Sequence, residues 1–357
     1  VTEPTAKPKL LVLELWGIGD LTFATAFLRQ AVERYDVTLV GKAHAQPLLA
    51  PTFPGIRFLT YDAPWTVFRG KYHLWKWKWR ELFRLVRTLR RERFDAAVSV
   101  RKDPRDHLLM RLAGAGHRVG FPGKGSGILL SQRLKHLHPK QHKVEDWRQL
   151  ATALSLPGGV EAVPFLAPKA YHSGRVDALL AGVTKPLVVL HPGARIAVRR
   201  WPEPYFASLL PRLRERFDFH LALVPDPDGY GAGLAPLCDQ VLPQLTLREL
   251  VDIMGRVEFL LCNDSGPGHV AAACGRPAVV MFGPTDPDWF RPFGGVHRVV
   301  IRDICAWRPC FDYCKFPEPY CMTKLLPDDA WPEIREHLRS LIEQRVLSSR
   351  LLKGSAQ

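Results

Sequence analysis

Residues 257–282 constrain the fold more than any other segment. Val257-Glu258-Phe259-Leu260-Leu261-Cys262 reads as a buried strand, and His269-Val270-Ala271-Ala272-Ala273-Cys274 as a helix of small residues that Gly275 can end. The polar turn Asn263-Asp264-Ser265-Gly266-Pro267-Gly268 joins them, and Phe282-Gly283-Pro284-Thr285-Asp286-Pro287 ends the next apolar run. Strand, glycine-rich turn, helix and strand in this order call for a parallel sheet with helical crossovers. The first N–H groups of the helix have no partner within it, and the helix dipole adds positive potential, so the turn is a place to hold a phosphate. Asp264 and His269 flank that place and can hydrogen-bond sugar hydroxyls or a diphosphate. An ordinary βα turn with an N-cap is the plain alternative.

The same alternation runs through the chain twice. Strands are expected at 10–15, 36–40, 56–59, 94–100 and 119–120. A helix over 20–35 follows from Leu21, Ala24, Leu28, Ala31 and Val32, and shorter helices are expected at 107–113 and 144–156. Residues 121–144 are rich in Gly, Lys and His, lack periodicity and read as a surface loop. The Pro/Ala-rich stretch 157–171 reads as a linker. Strands at 186–190, 220–224, 258–262 and 278–282 then alternate with helices at 202–216, 247–254 and 268–274. A length of 357 residues suits two domains. The expectation is an α/β chain with domains at 1–165 and 172–325 facing each other across a cleft. A long amphipathic helix within 326–357 is expected to pack back on the first domain. The halves share architecture but no sequence repeat.

Formal net charge is +15, which favours anionic partners. Residues 69–93 hold ten Lys/Arg against Glu81 and Glu92 alone, over half of the excess. Wound as one helix, this segment sets Lys76, Arg80, Arg84, Arg87 and Arg91 on one stripe. Trp75, Trp79, Leu82, Val86 and Leu89 fall on the opposite, core-facing flank, and Trp77 lies beside the stripe. Such a cationic face fits anionic head groups, and tryptophan favours that interface. With no nucleic-acid motif beside it, a membrane surface or an acidic glycolipid ranks ahead of nucleic acid. Arg69, Lys71, Lys76 and Arg80 are the candidate contacts to such an acceptor. No apolar run approaches the ~20 residues that span a bilayer. The N-terminal Leu10-Leu11-Val12-Leu13 is too short for a signal peptide, so a cytoplasmic protein is expected.

Three further groupings bear on chemistry. Gly17-Ile18-Gly19-Asp20 sits where the first strand turns into the first helix, the edge at which open parallel sheets bind ligands. Asp20 is either an N-cap or a general base. His191-Pro192-Gly193-Ala194-Arg195 is followed by Arg199-Arg200-Trp201-Pro202, and arginines beside a helix start suit a diphosphate, with a solvated basic loop as the alternative. Cys305, Cys310, Cys314 and Cys321 are spaced unlike paired zinc motifs. A structural role is the leading reading, with structural zinc the lesser one and no other metal or cofactor expected. The pair Asp226/Asp228 is the only Asp-x-Asp near the expected donor site.

Taken together, Gly-x-Gly-Asp, His191-Pro192-Gly193, Arg200-Trp201-Pro202, Leu247-x2-Leu250, Asn263-Asp264-Ser265-Gly266-Pro267-x-His269 and Phe282-Gly283-Pro284-Thr285 resemble glycosyltransferase family 9, the ADP-heptose:lipopolysaccharide heptosyltransferases. The resemblance covers most of the chain, and the cysteines around Pro309-Cys310-Phe311 fit it. It implies a GT-B fold of two Rossmann-like domains and an inverting, metal-independent transfer of heptose from ADP-heptose to an acidic glycolipid at the inner face of the inner membrane. By its pattern Asp20 matches the base. Arg199, with Arg200 beside it, stands where the family has a lysine at the donor phosphates. Asp264 and His269 match sugar-contacting positions, Ser265 and Gly266 the turn that receives the diphosphate, and Thr285 belongs to the same donor site. Asp226 or Asp228 stands in for the acid at the nucleoside ribose. Trp16 and Arg199 depart from the pattern and keep open a relative that transfers another sugar to a surface glycan. The third reading is a non-enzymatic basic protein that binds membrane or nucleic acid through residues 69–93.

Overall fold

The computed structural model describes residues 6–67, 73–158, 161–294, 296–344 and 346–352. The chain divides into two compact units, 1–165 and 166–357. In the first, six parallel strands are ordered β3-β2-β1-β4-β5-β6: β1 is Lys9–Glu14, β2 Asp36–Gly41, β3 Arg57–Thr60, β4 Ala96–Ser99, β5 His117–Gly120 and β6 Gln132–Arg133. In the second, the order is β12-β11-β10-β7-β8-β9: β7 is Leu187–His191, β8 His220–Leu223, β9 Gln240–Val241, β10 Phe259–Asn263, β11 Ala278–Phe282 and β12 Arg298–Ile301. Renumbered within its own unit, the second sheet has the strand order of the first. Both are of Rossmann type, with a switch point between the first and fourth strands.

The strands that flank each switch point are apolar on both faces because helices cover both. Leu10, Leu11, Val12 and Leu13 of β1 are inaccessible to solvent, as are Val188, Val189 and Leu190 of β7 and Phe259, Leu260, Leu261 and Cys262 of β10. The helix Ile18–Arg34 buries Leu21 through Leu28 and sets Phe27 against Trp147 of the helix Lys143–Ala153, ring centroids 5.5 Å apart. The two halves of the linker belong to different units. Phe165 N–H donates to Thr25 Oγ1 at 2.8 Å, and Leu166 N–H to the Ala273 carbonyl at 2.8 Å.

Three sequence expectations are corrected. The C-terminal helix, Pro327–Glu343, packs within the second unit. Its Ala330, Ile334, Leu338, Leu341 and Ile342 join the core of Leu209, Leu213, Phe217 and Val300. An amphipathic stripe states that a helix must bury one face, and not which sheet will cover it. Residues 121–144 are more than a surface loop. They contain β6, and Ser126 is buried with its hydroxyl 2.8 Å from His107 Nδ1. The edge strands β6, β9 and β12 have two to four residues and show no usable periodicity.

The third correction concerns the basic segment. Its α-helix spans only Trp79–Glu92, preceded by a 3₁₀ turn at Leu74–Lys76 and extended backbone at Trp77. A wheel drawn through the whole segment loses its phase at that break. Leu82, Leu85, Val86 and Leu89 do face the core. Trp75 and Trp79, expected beside them, are exposed, while Trp77 lies half-buried against Trp65, ring centroids 5.4 Å apart. Lys76 and Arg80 are exposed, and Arg69 and Lys71 lie outside the described residues. Among the described residues no helix is long and apolar enough to cross a membrane.

Candidate active site

At the first switch point, β1 ends in Glu14 and the chain turns through Trp16 and Gly17 into the helix Ile18–Arg34. Asp20 is not the N-cap. It is the third residue of the helix, half-buried, and its Oδ2 accepts the Gly17 N–H at 3.2 Å. Its carboxyl is raised above its ordinary range by burial, opposed by that hydrogen bond and by the cations Lys143 and Arg101.

Glu14, fully buried behind it, was not singled out from the sequence. Its Oε1 accepts the Trp16 N–H at 3.0 Å, and its Oε2 has no hydrogen-bond partner among the described residues. Burial first and the Asp20 charge second push its carboxyl up to about 8. Arg101, just past β4, stacks 4.8 Å above the Trp16 ring and pairs with Asp103 at 3.5 Å and Asp106 at 3.4 Å. Asp106 also accepts from Trp65 Nε1 at 2.7 Å. Glu14, Asp20 and Asp106 thus cluster at this turn, with Arg101 and Lys143 as the opposing charges.

At the second switch point, β7 ends in His191 and β10 in Asn263. Asn263 is fully buried and braces both loops. Its Nδ2 donates to the Pro192 carbonyl at 2.5 Å, and its Oδ1 accepts the Trp201 N–H at 3.1 Å. The chain then enters the helix Gly266–Ala273 with Ser265 at its N-cap position. Ser265 Oγ lies 3.5 Å from His191 Nδ1.

Asp264 Oδ2 is the centre of a compact cluster. It accepts from Arg199 at 3.2 Å and from the Thr285 hydroxyl at 2.5 Å, and Arg199 reaches on to Asp312 Oδ1 at 2.8 Å. Burial raises the Asp264 carboxyl, and Arg199 and Thr285 oppose it. His269, on the first turn of the helix, is buried and held neutral at about 4 by burial and then by Arg199. Arg199, Asp264, His269 and Thr285 are thus brought together, with Ser265 and Gly266 on the same turn.

Arg200 is directed elsewhere. It donates to the Ala194 carbonyl at 2.8 Å, to Asp226 at 2.9 Å and to Asp228 at 2.6 Å, and it lies 4.6 Å above the Tyr230 ring. Asp226 packs so closely on the 192–194 loop that a Cβ on Gly193 would come within 2.5 Å of its carboxyl. Arg200 therefore fastens that loop to the Asp226/Asp228 turn.

Asp312 was missed in the sequence because it lies in an irregular segment with no periodic or motif signal. The cysteine-bearing loop delivers it. Cys310 and Phe311 N–H donate to the Pro284 carbonyl at 3.0 and 3.3 Å, and Arg308 donates to the Thr285 carbonyl at 3.0 Å. All four cysteines are free thiols; Cys321 is buried under Gly283 and the other three are half-buried. Among the described residues no group of three or more His, Cys, Asp or Glu is placed to hold a metal ion.

Two Rossmann-type units, one with a carboxylate at its switch point and the other with an arginine and a glycine-led helix start, place the chain among two-unit α/β proteins with a candidate ligand edge on each sheet. The family model for glycosyltransferase family 9 (heptosyltransferase) matches residues 82–320. The chain belongs to that family and is a glycosyltransferase. It is 25% identical over 314 residues to lipopolysaccharide heptosyltransferase 2 of Escherichia coli K12, covering 82% of this chain and 87% of that protein. It is 26% identical over 297 residues to lipopolysaccharide heptosyltransferase 1 of Pseudomonas aeruginosa, covering 74% and 79%. Among solved structures, E. coli ADP-heptose LPS heptosyltransferase II matches with a TM-score of 0.70 at 23% identity over 94% of this chain and 99% of that one. A family 9 glycosyltransferase from Veillonella parvula matches with a TM-score of 0.74 at 16% identity over 95% and 99%. The fold is the GT-B type that the resemblance implied.

Proposed function

We propose that this enzyme transfers heptose from ADP-heptose to an acidic lipopolysaccharide inner-core acceptor, with inversion and without a metal. The observation that carries the reading is the pairing of Asp20, a half-buried carboxylate flanked by Lys143 and Arg101, with the Arg199–Asp264–Thr285 cluster at the equivalent edge of the second sheet. Asp20 takes the proton of the acceptor hydroxyl as its oxygen attacks the anomeric carbon. As the glycosidic bond breaks, the electron pair leaves on the diphosphate. Arg199 and the N-terminus of the helix Gly266–Ala273 offset the charge that builds there. Asp264 and His269 hold sugar hydroxyls. Metal independence is supported by the state of the Asp226/Asp228 pair, since both carboxylates are engaged by Arg200.

Lys76 and Arg80, with Arg69 and Lys71 from outside the described residues, meet the acceptor's phosphates, and the enzyme works peripherally at the cytoplasmic face of the inner membrane. The names of the relatives support heptose as the transferred sugar. Arg199 in place of a lysine keeps a different donor sugar as the second reading, because a guanidinium shared between Asp264 and Asp312 presents a different fork to a donor than a lysine ammonium does. Family membership sets aside the non-enzymatic reading.

The test is ADP release from ADP-heptose with a Kdo-lipid A acceptor, run beside a panel of other nucleotide sugars. Expected are turnover with ADP-heptose, an inverted anomeric centre by NMR and no loss of rate with EDTA. Turnover with a different donor selects the second reading, and no turnover with any nucleotide sugar overturns the proposal.

A further inference from the structure

The 3₁₀ turn at Leu74–Lys76 and the helix Trp79–Glu92 leave large apolar side chains in water. Trp75 is 76% exposed, Phe83 67%, Leu74 51% and Trp79 41%. The helix already satisfies its fold with the opposite face, where Leu85 and Leu89 are buried and Leu82 and Val86 pack beside them. The exposed rings are therefore not the residue of an unfilled core. Contiguous exposed apolar surface of this kind marks an interaction site.

The patch is also held in place. A ladder of rings runs from the core outward: Tyr61 to Trp65 at 5.8 Å, Trp65 to Trp77 at 5.4 Å, Trp77 to Trp79 at 5.3 Å and Trp79 to Phe83 at 6.3 Å. Trp65 is buried, and Trp79 Nε1 donates to the Leu74 carbonyl at 2.9 Å, so the 3₁₀ turn is pinned to the helix. His73 stacks on Trp75 at 4.9 Å.

Arginines border the rings. At ~100° per residue, Arg80, Arg84, Arg87 and Arg91 form one stripe, and Phe83 lies about 70° round from its centre. Arg80, Arg84 and Arg87 make no ion pair with any described residue. Residues 74–93 hold eight Lys/Arg against Glu81 and Glu92, and Glu92 is already paired with Lys9 at 3.2 Å and with Arg57.

We propose that Leu74, Trp75, Trp79 and Phe83, with the arginine stripe beside them, form a surface that docks on an anionic phospholipid bilayer. The rings enter the boundary between head groups and acyl chains, and Arg84 and Arg87 meet lipid phosphates. This rests on the reading above that the enzyme works at a membrane surface, and it names the residues and the lipid chemistry. Charge complementarity selects the occupant. Exposed tryptophan and phenylalanine beside arginines that pair with no described residue match an interface that is apolar at depth and anionic at the surface. Duplex nucleic acid, held through its phosphates, would use the arginines and leave Leu74 and the rings without a role.

The test is sedimentation of the full chain with phosphatidylethanolamine–phosphatidylglycerol vesicles, compared with phosphatidylcholine vesicles, together with quenching of tryptophan emission by brominated acyl chains. Expected are binding to the anionic vesicles only, weakening with salt, and a bromine-quenched component that W75A loses. W75A/F83A and R84E/R87E are each expected to cut vesicle binding at least about tenfold. Both are expected to keep wild-type heptose transfer to a soluble, delipidated acceptor oligosaccharide. Wild-type vesicle binding by W75A/F83A, or equal binding to neutral and anionic vesicles, overturns the proposal. Absence of transfer by the wild-type enzyme instead overturns the functional reading and leaves the vesicle result to be judged alone.

Discussion

The two switch points of this protein share a topology and differ in almost every side chain. The first gathers carboxyls, Glu14, Asp20 and Asp106, in a buried setting where Arg101 and Lys143 supply the opposing charge. The second gathers an arginine, a buried neutral histidine and a small-residue helix that starts with two glycines and a proline. Under the proposed function the first holds or moves a proton and the second holds an anion. The backbone supplies in both cases the same edge, at which two adjacent loops diverge. What each edge does follows from which charges the loops carry and how deeply they are buried.

The sharpest way to break this contrast is to remove the proton acceptor. Asp20→Asn is expected to lower kcat by roughly 10²–10⁴-fold with little change in donor KM, because it deletes a general base and leaves the second unit untouched. An equal fall in donor affinity would mean that the first edge also binds the donor. In the parent enzyme the acid limb of the rate profile is expected above the usual aspartate range. Asp20 must be ionised to act, and its raised carboxyl keeps its proton to higher pH, so rate falls as pH drops through that raised value.

Next in size is Arg199→Ala, expected to cost about 10²-fold in kcat/KM for the donor, as loss of a charge that meets a developing anion does. Arg200→Ala is expected to cost only a few-fold, about 1 kcal/mol or less in transition-state terms. Its guanidinium is engaged by Asp226 and Asp228. Steady-state kinetics on the two variants tests whether neighbouring arginines do separate jobs; equal losses would return Arg200 to the donor site. Asp312→Asn falls between them, about tenfold in donor KM, because it loosens Arg199 without removing its charge.

A further effect is on stability, not on rate. Glu14 keeps its proton in the folded chain up to about 8, whereas in the unfolded chain it loses it near the ordinary 4.5. Between those values the folded state binds more protons, so stability falls as pH rises across this window. Glu14→Gln, which cannot ionise, is expected to flatten the decline of Tm from pH 5 to pH 8 and to raise Tm at the alkaline end. An unchanged profile would show that Glu14 is ionised in the fold.

Much of the fold was legible in the order of residues. Runs such as Leu10–Leu13, Val188–Leu190 and Phe259–Cys262 are apolar without alternation, and only a strand covered on both faces requires that. Less was legible where short elements lean on neighbours. The strand Arg298–Ile301 forms because β11 offers its edge, and nothing in four residues announces it. In the candidate site, Asp20, Asp264 and His269 were readable because each sits at a fixed offset from a strand end. Asp312 and Glu14 were not, since one lies in a loop without periodicity and the other looks like a lone acid ending an apolar run.

The basic segment shows the same division. Its charge excess is a property of composition, and no fold can alter it. Which tryptophan faces the core was settled by the break at Trp77, which rephases the helix and exchanges the environments of Trp75 and Trp77. The sequence by itself determined two parallel sheets, two glycine-bearing turns and a cationic stretch, because apolar periodicity and backbone sterics act over a few residues. Only the tertiary structure decided that Arg199 meets Asp264 while Arg200 turns to Asp226, and that the last long helix completes the second core. Those choices depend on side chains separated by tens of residues competing for the same buried partners, and that competition has no local trace in the chain.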